Sequence, residues 1–263
     1  MNLSILVISL LGDDVRRAHM SKQLDGLGVK WEFVDGVVGK NLTKYPAEYQ
    51  SQKRINHYCF DMSAGEIGCF LSHRKVWQEC VRRSEICMVL EDDVELLPHF
   101  MQNLQTVLSI QNEWDIFRLH SGGYRAPVLR EVVNSLQILE NLIDPGSSAG
   151  YLIKPEAAIK LIEHSSNFYT AIDDFIECRW MHNLRILASD PYLVKAGVFD
   201  ETSFGTINDR GRPKISISRK IVRELVRIPT GLHRWRWRRQ RASFIARLNK
   251  SKGNTVHPNG PTV

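Results

Sequence analysis

The chain has no apolar run near the roughly 20 residues needed to cross a bilayer, so no membrane-spanning helix is expected. It also lacks CxxC and paired Cys/His spacings. Its five cysteines (Cys59, Cys69, Cys80, Cys87 and Cys178) are odd in number and scattered, which argues against a zinc site and suits a reducing compartment. Met1 to Ser4 carries no basic residue, and the apolar run to Leu11 meets Gly12-Asp13-Asp14 in place of a cleavage site, so no secretory leader is expected there. Acids are nearly absent from the last part of the chain. From Arg210 onward, 15 Lys and Arg stand against Glu224 alone, whereas the preceding 209 residues hold 20 basic and 28 acidic residues. An acidic body over residues 1–208 and a basic, Arg/Trp-rich extension over 209–263 are therefore expected. With 263 residues, the chain is long enough for one large α/β domain or two small ones.

What is present centres on Ile86-Cys87-Met88-Val89-Leu90, followed by Glu91, Asp92 and Asp93. The apolar run has the length and composition of a buried strand. Three adjacent acids at its end repel one another and lose solvation, a cost that a divalent cation would reverse. Strand alternation predicts Glu91 and Asp93 on one face and Asp92 on the other, so the first and third acids converge on one ion. Hard oxygen ligands with no nearby His or Cys suit Mg²⁺ or Mn²⁺. The competing reading is an acidic turn capping a helix from Val94 onward. For a third metal contact, His120, His182 and His233 are all open.

Around this motif the chain reads as alternating strands and helices. Leu3–Leu11 reads as a strand, Arg16–Leu27 as an amphipathic helix closed by Gly28, and Val29–Val34 as a second strand ending at Asp35-Gly36. This predicts a parallel βαβ unit, with ligands beyond the carboxyl ends of its strands, between the Ser9–Arg17 loop and the Asp35 turn. Arg16 and Arg17 either meet a phosphate there or lie solvated. Residues 41–61 read as a loop insertion. Ser63-Ala64-Gly65-Glu66 has the pattern of a capping box and opens a helix to Arg82 that carries Ser72 and His73, as packed groups or as site groups. Strands are expected over 115–120, 151–153 and 186–194, with Pro155 opening a helix. Ala171-Ile172-Asp173-Asp174-Phe175 places two acids at a helix start, as a cap or as proton acceptors.

Together these segments resemble glycosyltransferase family 25, which includes lipopolysaccharide and lipooligosaccharide galactosyltransferases and collagen galactosyltransferase domains. The resemblance covers most of residues 3–195. It rests on Val7-Ile8-Ser9-Leu10 with Arg16-Arg17, Phe33-Val34-Asp35-Gly36, Gly65-Glu66-Ile67-Gly68-Cys69 followed by Ser72-His73, Val89-Leu90-Glu91-Asp92-Asp93-Val94, Gly150-Tyr151-Leu152-Ile153 and Ile172-Asp173-Asp174-Phe175. Ser9 departs from the Asn usual in the family.

The resemblance implies the A-type glycosyltransferase fold, a Rossmann-like mixed α/β sheet flanked by helices, with the basic C-terminal extension added to it. It implies inverting transfer from a UDP-sugar, most often UDP-galactose, onto a lipid-linked oligosaccharide acceptor. Glu91 and Asp93 would hold Mn²⁺ or Mg²⁺. Ser9, Leu10, Arg16, Asp35, Ser72, His73, Glu91 and Asp92 would line the donor site, and Asp173, or failing it Asp174, would be the base. A collagen-type hydroxylysine galactosyltransferase, a non-catalytic membrane- or RNA-binding relative and a Mg²⁺-dependent phosphohydrolase are the competing readings. The lack of a leader and of an ER-retention tail speaks against the first.

The extension interleaves Arg234, Arg236, Arg238, Arg239 and Arg241 with Trp235 and Trp237, after a segment in which Ile221, Val222, Leu225 and Val226 recur and which Pro229-Thr230-Gly231 is expected to break. Arginine interleaved with Trp suits an anionic membrane surface; combined with what the resemblance implies of a lipid-linked acceptor, a peripheral place on the cytoplasmic face of a bacterial inner membrane is expected. Nucleic-acid binding or a solvated extension are the alternatives.

Overall fold

The computed structural model describes residues 3–134, 136–143, 145–199 and 215–251. The division at 208/209, and an end of the body near Phe204, lie outside the described residues. The opening strand β1 (Leu3–Ser9), helix α1 (Asp14–Leu24) and strand β2 (Trp31–Asp35) form the expected parallel unit, with Ile5 opposite Trp31 and Ser9 opposite Asp35. Strand β3 (Ile86–Glu91) pairs in parallel with the other side of β1.

The sheet then becomes mixed. Strands β5 (Ile116–Arg118), β6 (Pro127–Val133), β7 (Leu136–Asn141), β8 (Gly150–Ile153) and β9 (Ile186–Asp190) complete eight strands in the order β2-β1-β3-β8-β5-β9-β7-β6. The expected Rossmann-like mixed sheet flanked by helices is what the chain forms.

Alternation along the central strands sorts side chains into two cores. Leu6, Cys87, Val89, Tyr151 and Ile153 face α3 (Ala64–Arg83), α5 (Pro155–His164) and α6 (Ile172–Ile176). Ile5, Val7, Met88, Leu90 and Leu152 face α1 and α4 (Phe100–Ser109). Glu91 continues the parity of Cys87 and Val89, so it emerges on the α3 side.

Four expectations are corrected. Residues 41–61 are not a plain loop, since α2 (Ser51–Tyr58) lies within them. Its sequence is polar, and its support is tertiary: it buries Arg54 and His57 and packs against the C-terminal helix. No helix starts at Val94. Glu95–Leu96 forms β4, paired with β10 (Val194–Lys195), and α4 waits until Phe100 because Pro98 lacks an N–H and restricts its predecessor. The hairpin β6–β7 falls where the sequence reading assigns no element. Pro229 does not break the extension, which runs as one helix, α8 (Ile217–Ser251). Proline costs that helix one backbone hydrogen bond, but Arg227 before it and Arg234 and Trp237 after it all face the same cavity on the body.

Candidate active site

The carboxyl end of β3 opens onto a cavity of about 180 Å³ between β1, α1 and α3. Ser9 and Leu10 line it from the end of β1, and Arg16 from the first turn of α1. Ser72 and His73 come from α3, and Glu91, Asp92 and Asp93 from the end of β3. Eight of the expected residues thus meet in one place. Asp35 does not join them. It ends β2 and ion-pairs with Arg17, whose guanidinium lies over Phe33 at 4.8 Å.

The expected split of the acids is also corrected. The strand stops at Glu91, Asp92 and Asp93 form a turn, and all three line the same cavity. Each meets a different environment there. Asp92 is held by Arg16 at 2.9 Å, and the same arginine lies 3.5 Å from Asp13, the cap of α1.

Glu91 anchors a chain of hydrogen bonds. Trp77 Nε1–H donates to the Tyr151 hydroxyl (3.0 Å), which leaves that O–H to donate to His73 Nδ1 (2.9 Å). The remaining His73 Nε2–H then faces Glu91 Oε1 at 3.3 Å, a tautomer fixed by the network. Ser148 donates to the same oxygen at 2.7 Å. Burial pushes the Glu91 carboxyl up, but the hydrogen bonds from His73 and Ser148 outweigh it and hold the group below the ordinary carboxylate range.

Asp93 has no such support. Among the described residues its Oδ1 is buried with no hydrogen-bond partner, and burial together with the neighbouring Glu91 charge pushes its carboxyl up to about 6. An orphaned oxygen beside two other carboxylates is the donor set that a hard divalent cation takes, so the residues present fit Mn²⁺ or Mg²⁺.

The statement that no Cys or His lies near these acids is corrected. Cys69, His73 and Glu91 offer atoms all within 4.8 Å of one another. Their spacing along α3, one helical turn, puts Cys69 and His73 on one face, a signal the sequence held. Burial, then the charges of Glu91 and Asp173, push the Cys69 thiol well up, and His73 spends its Nε2–H on Glu91. That trio is better matched to hydrogen bonding than to a soft metal. Among the other histidines, His120 bonds Ser147 Oγ at 3.0 Å, and burial and then the Arg118 charge lower its basicity, the Glu91 charge only partly opposing them. His182 is buried against Ile176 O, and His233 is exposed on α8.

Ser72 is as much a structural group as a lining one. Its hydroxyl accepts from Val37 N–H (2.8 Å) and donates to Gly68 O (2.7 Å), pinning the loop after β2 onto α3. Gly68 permits that approach, because a Cβ there would stand 2.5 Å from Val37 O. The capping box at Ser63 and Glu66 forms as expected.

Asp173 and Asp174 open α6 and diverge. Asp173 Oδ2 lies 3.8 Å from where a Cβ on Gly146 would be, at the base of the loop whose Ser148 holds Glu91. Asp174 turns the other way. It accepts from Tyr58 O–H at 3.3 Å, lines a second cavity beneath α8, and is pushed up by burial and by Asp173.

The model of glycosyltransferase family 25 (LPS biosynthesis protein) matches residues 2–176. A glycosyltransferase 25 family member of Drosophila melanogaster is 29% identical over 167 residues, covering 60% of this chain and 27% of its own. Procollagen galactosyltransferase 1-B of Xenopus laevis is 30% identical over 171 residues, covering 60% and 28%. The chain therefore spans under a third of the length of those relatives. A crystal structure of a glycosyltransferase involved in glycosylation of the major capsid of PBCV-1 aligns with 87% of this chain and 100% of its own, at 9% identity and a TM-score of 0.41. With the family model covering residues 2–176, well over half its length, the chain belongs to glycosyltransferase family 25.

Proposed function

We propose that this glycosyltransferase performs an inverting, metal-dependent transfer of galactose from UDP-galactose onto a lipopolysaccharide or lipooligosaccharide acceptor. The observation that carries the reading is the unpartnered Asp93 oxygen in a cavity shared with Glu91 and Asp92, a charge arrangement that folding alone leaves uncompensated. Glu91 and Asp93 would hold Mn²⁺ or Mg²⁺, which supplies charge neutralisation for a departing diphosphate. Arg16 contributes a guanidinium at the same cavity, and Ser9, Leu10 and Ser72 shape its walls. His73, locked between Tyr151 and Glu91, keeps the Glu91 carboxylate oriented and ionised. Asp173, across the Gly146–Gly150 loop from Glu91, takes the proton from the attacking acceptor hydroxyl.

The test is a donor screen with the full chain: UDP-galactose, UDP-glucose, UDP-N-acetylglucosamine and CMP-sialic acid, each with and without Mn²⁺, on a lipooligosaccharide and on a hydroxylysine peptide. Consumption of UDP-galactose only with Mn²⁺ and the lipooligosaccharide is expected. Asp93→Asn or Asp173→Asn should lower turnover by roughly 10²–10³-fold, with circular dichroism unchanged. Normal turnover in either variant would sink its assigned role. The names of the procollagen relatives make the hydroxylysine peptide the specific rival acceptor.

We infer in addition that α8 docks the enzyme on an anionic membrane, at the cytoplasmic face of a bacterial inner membrane. Support comes from its outer face, where Ile217, Ile221, Leu225, Ile228, Leu232 and Trp235 recur at steps of four and three and are all exposed. Exposed Arg236 and Arg239 lie beside that stripe, and each cation near such a surface adds about 1 kcal/mol. No described helix is long and apolar enough to cross a membrane, so the contact would be interfacial. Flotation with phosphatidylglycerol liposomes at low salt, absent with neutral ones, is the expected result.

A further inference from the structure

A second cavity, of about 450 Å³, lies between α2, the segment from Tyr169 to Trp180 and the inner face of α8. It differs in chemistry from the cavity at the sheet rim. Arg179, Arg227, Arg234 and Arg238 line it, against the carboxylates of Asp174 and Glu177. Glu177 is already matched, by Arg118 and Arg179, so the walls keep an excess of positive charge.

The arginines are held in place by aromatic rings. Arg234 lies over Trp180 at 4.4 Å, Arg179 over Trp237 at 5.0 Å and Arg227 over Tyr58 at 5.6 Å. Among the described residues, neither Arg227 nor Arg234 makes a salt bridge, and Arg234 Nε is buried without a hydrogen-bond partner. A second, independent observation points the same way. Thr170, only 5% exposed, lines the cavity with its hydroxyl oxygen also unpartnered. Guanidinium forks, a free hydroxyl and flat apolar rings in a half-open space are the groups that bind a sugar ring bearing an acidic substituent.

Position gives this chemistry a role. Asp173 and Asp174 are consecutive on α6, one toward the loop that holds Glu91 and the other into this cavity. A ligand seated here would lie against Asp174, the chain neighbour of Asp173. Resting on the transferase reading above, we propose that this cavity receives the acceptor glycan, and that Arg227 and Arg234 select an acceptor carrying a phosphate or carboxylate group near the hydroxyl to be glycosylated. On this view the inner face of α8 is part of the acceptor site, while its outer face remains available to a surface.

Binding, read without donor, tests the proposal separately from transfer. Glucose 6-phosphate, glucuronate, glucose and inorganic phosphate would each be titrated into the full-length chain by saturation-transfer NMR, with UDP binding measured in parallel. Both acidic sugars are expected to bind about tenfold or more tightly than glucose, and Arg234→Gln and Arg227→Gln should each remove most of that preference. UDP binding should be unchanged in both variants, which also reports an intact fold. Failure of wild type to bind UDP, with the acidic-sugar preference present and lost in the variants, would count against the donor reading and leave this one standing. Equal binding of glucose and the acidic sugars would overturn the proposal. So would a preference that survives both substitutions, or inorganic phosphate binding as tightly as glucose 6-phosphate while glucuronate fails to bind. Displacement of the bound sugars by phosphatidylglycerol vesicles would likewise overturn it, reassigning the arginines to lipid headgroups.

Discussion

Two groups of buried acids in this protein are treated in opposite ways. Glu140, on β7, and Glu177, just after α6, are almost completely enclosed, and each is met by guanidinium groups. Arg118 reaches Glu177 at 2.9 Å and Arg179 at 2.8 Å, while Arg241 of α8 grips Glu140 with Nε at 2.6 Å and Arg130 adds a contact at 3.1 Å. Burial would raise the Glu177 carboxyl, but the two arginines outweigh it and hold the group low. At the rim of the same sheet, Glu91 is held by His73 and Asp92 by Arg16, whereas among the described residues Asp93 makes no salt bridge and its Oδ1 is buried without a hydrogen-bond partner. An unsatisfied carboxylate oxygen beside two other acids is the arrangement that a bound cation would complete. The first cluster is architecture, fastening α8 to the body. The second is the candidate site.

The comparison is sharpened most by removing charge from the architectural cluster. Glu140→Gln would leave Arg130, Arg179 and Arg241 facing a neutral group, and breaking such a buried arrangement costs about 3–5 kcal/mol. Calorimetry should show melting lowered by on the order of 10 °C, with α8 opened to proteolysis. An unchanged melting temperature would erase the distinction between the clusters.

The opposite result is expected at the rim. Asp93 titrates at about 6 against an ordinary 3.8, so folding favours its protonated form. The penalty is absent below about pH 4, grows as pH rises through 6 and is complete above it. Asp93→Asn should therefore stabilise the metal-free protein by about 1–3 kcal/mol at pH 7.5, with no gain at pH 4, while transfer is lost. A destabilised variant at pH 7.5 would show that Asp93 is an ordinary structural acid.

The smallest effect is expected at Ser72, whose hydroxyl ties Val37 N–H to α3. Ser72→Ala should cost about 1–2 kcal/mol of stability and shift UDP affinity less than tenfold. A larger loss of affinity than of stability would move Ser72 from the wall of the site into direct contact with the nucleotide.

Much of this was legible in the chain. The capping box at Ser63 and Glu66, the apolar run ending in Glu91, and the parallel strand–helix–strand opening are local patterns, and each appears where the spacing puts it. Helix α2 and the β6–β7 hairpin were not legible, because their support is packing: Arg54 and His57 are buried beneath α8, and β7 is covered by β9 and α8's Arg241. The run of α8 through Pro229 is likewise a tertiary result.

By itself the sequence determined that three acids end a buried strand, that a helix carrying Ser72 and His73 follows a capping box, and that an acidic body carries a basic extension, since periodicity and charge count are properties of the chain alone. Only the folded structure decided which acids are satisfied. Whether a carboxylate meets a basic partner depends on residues far apart in sequence, Arg241 with Glu140 and His73 with Glu91, and on the turn that brings Asp93 back beside its neighbours with an oxygen left unpartnered among the described residues.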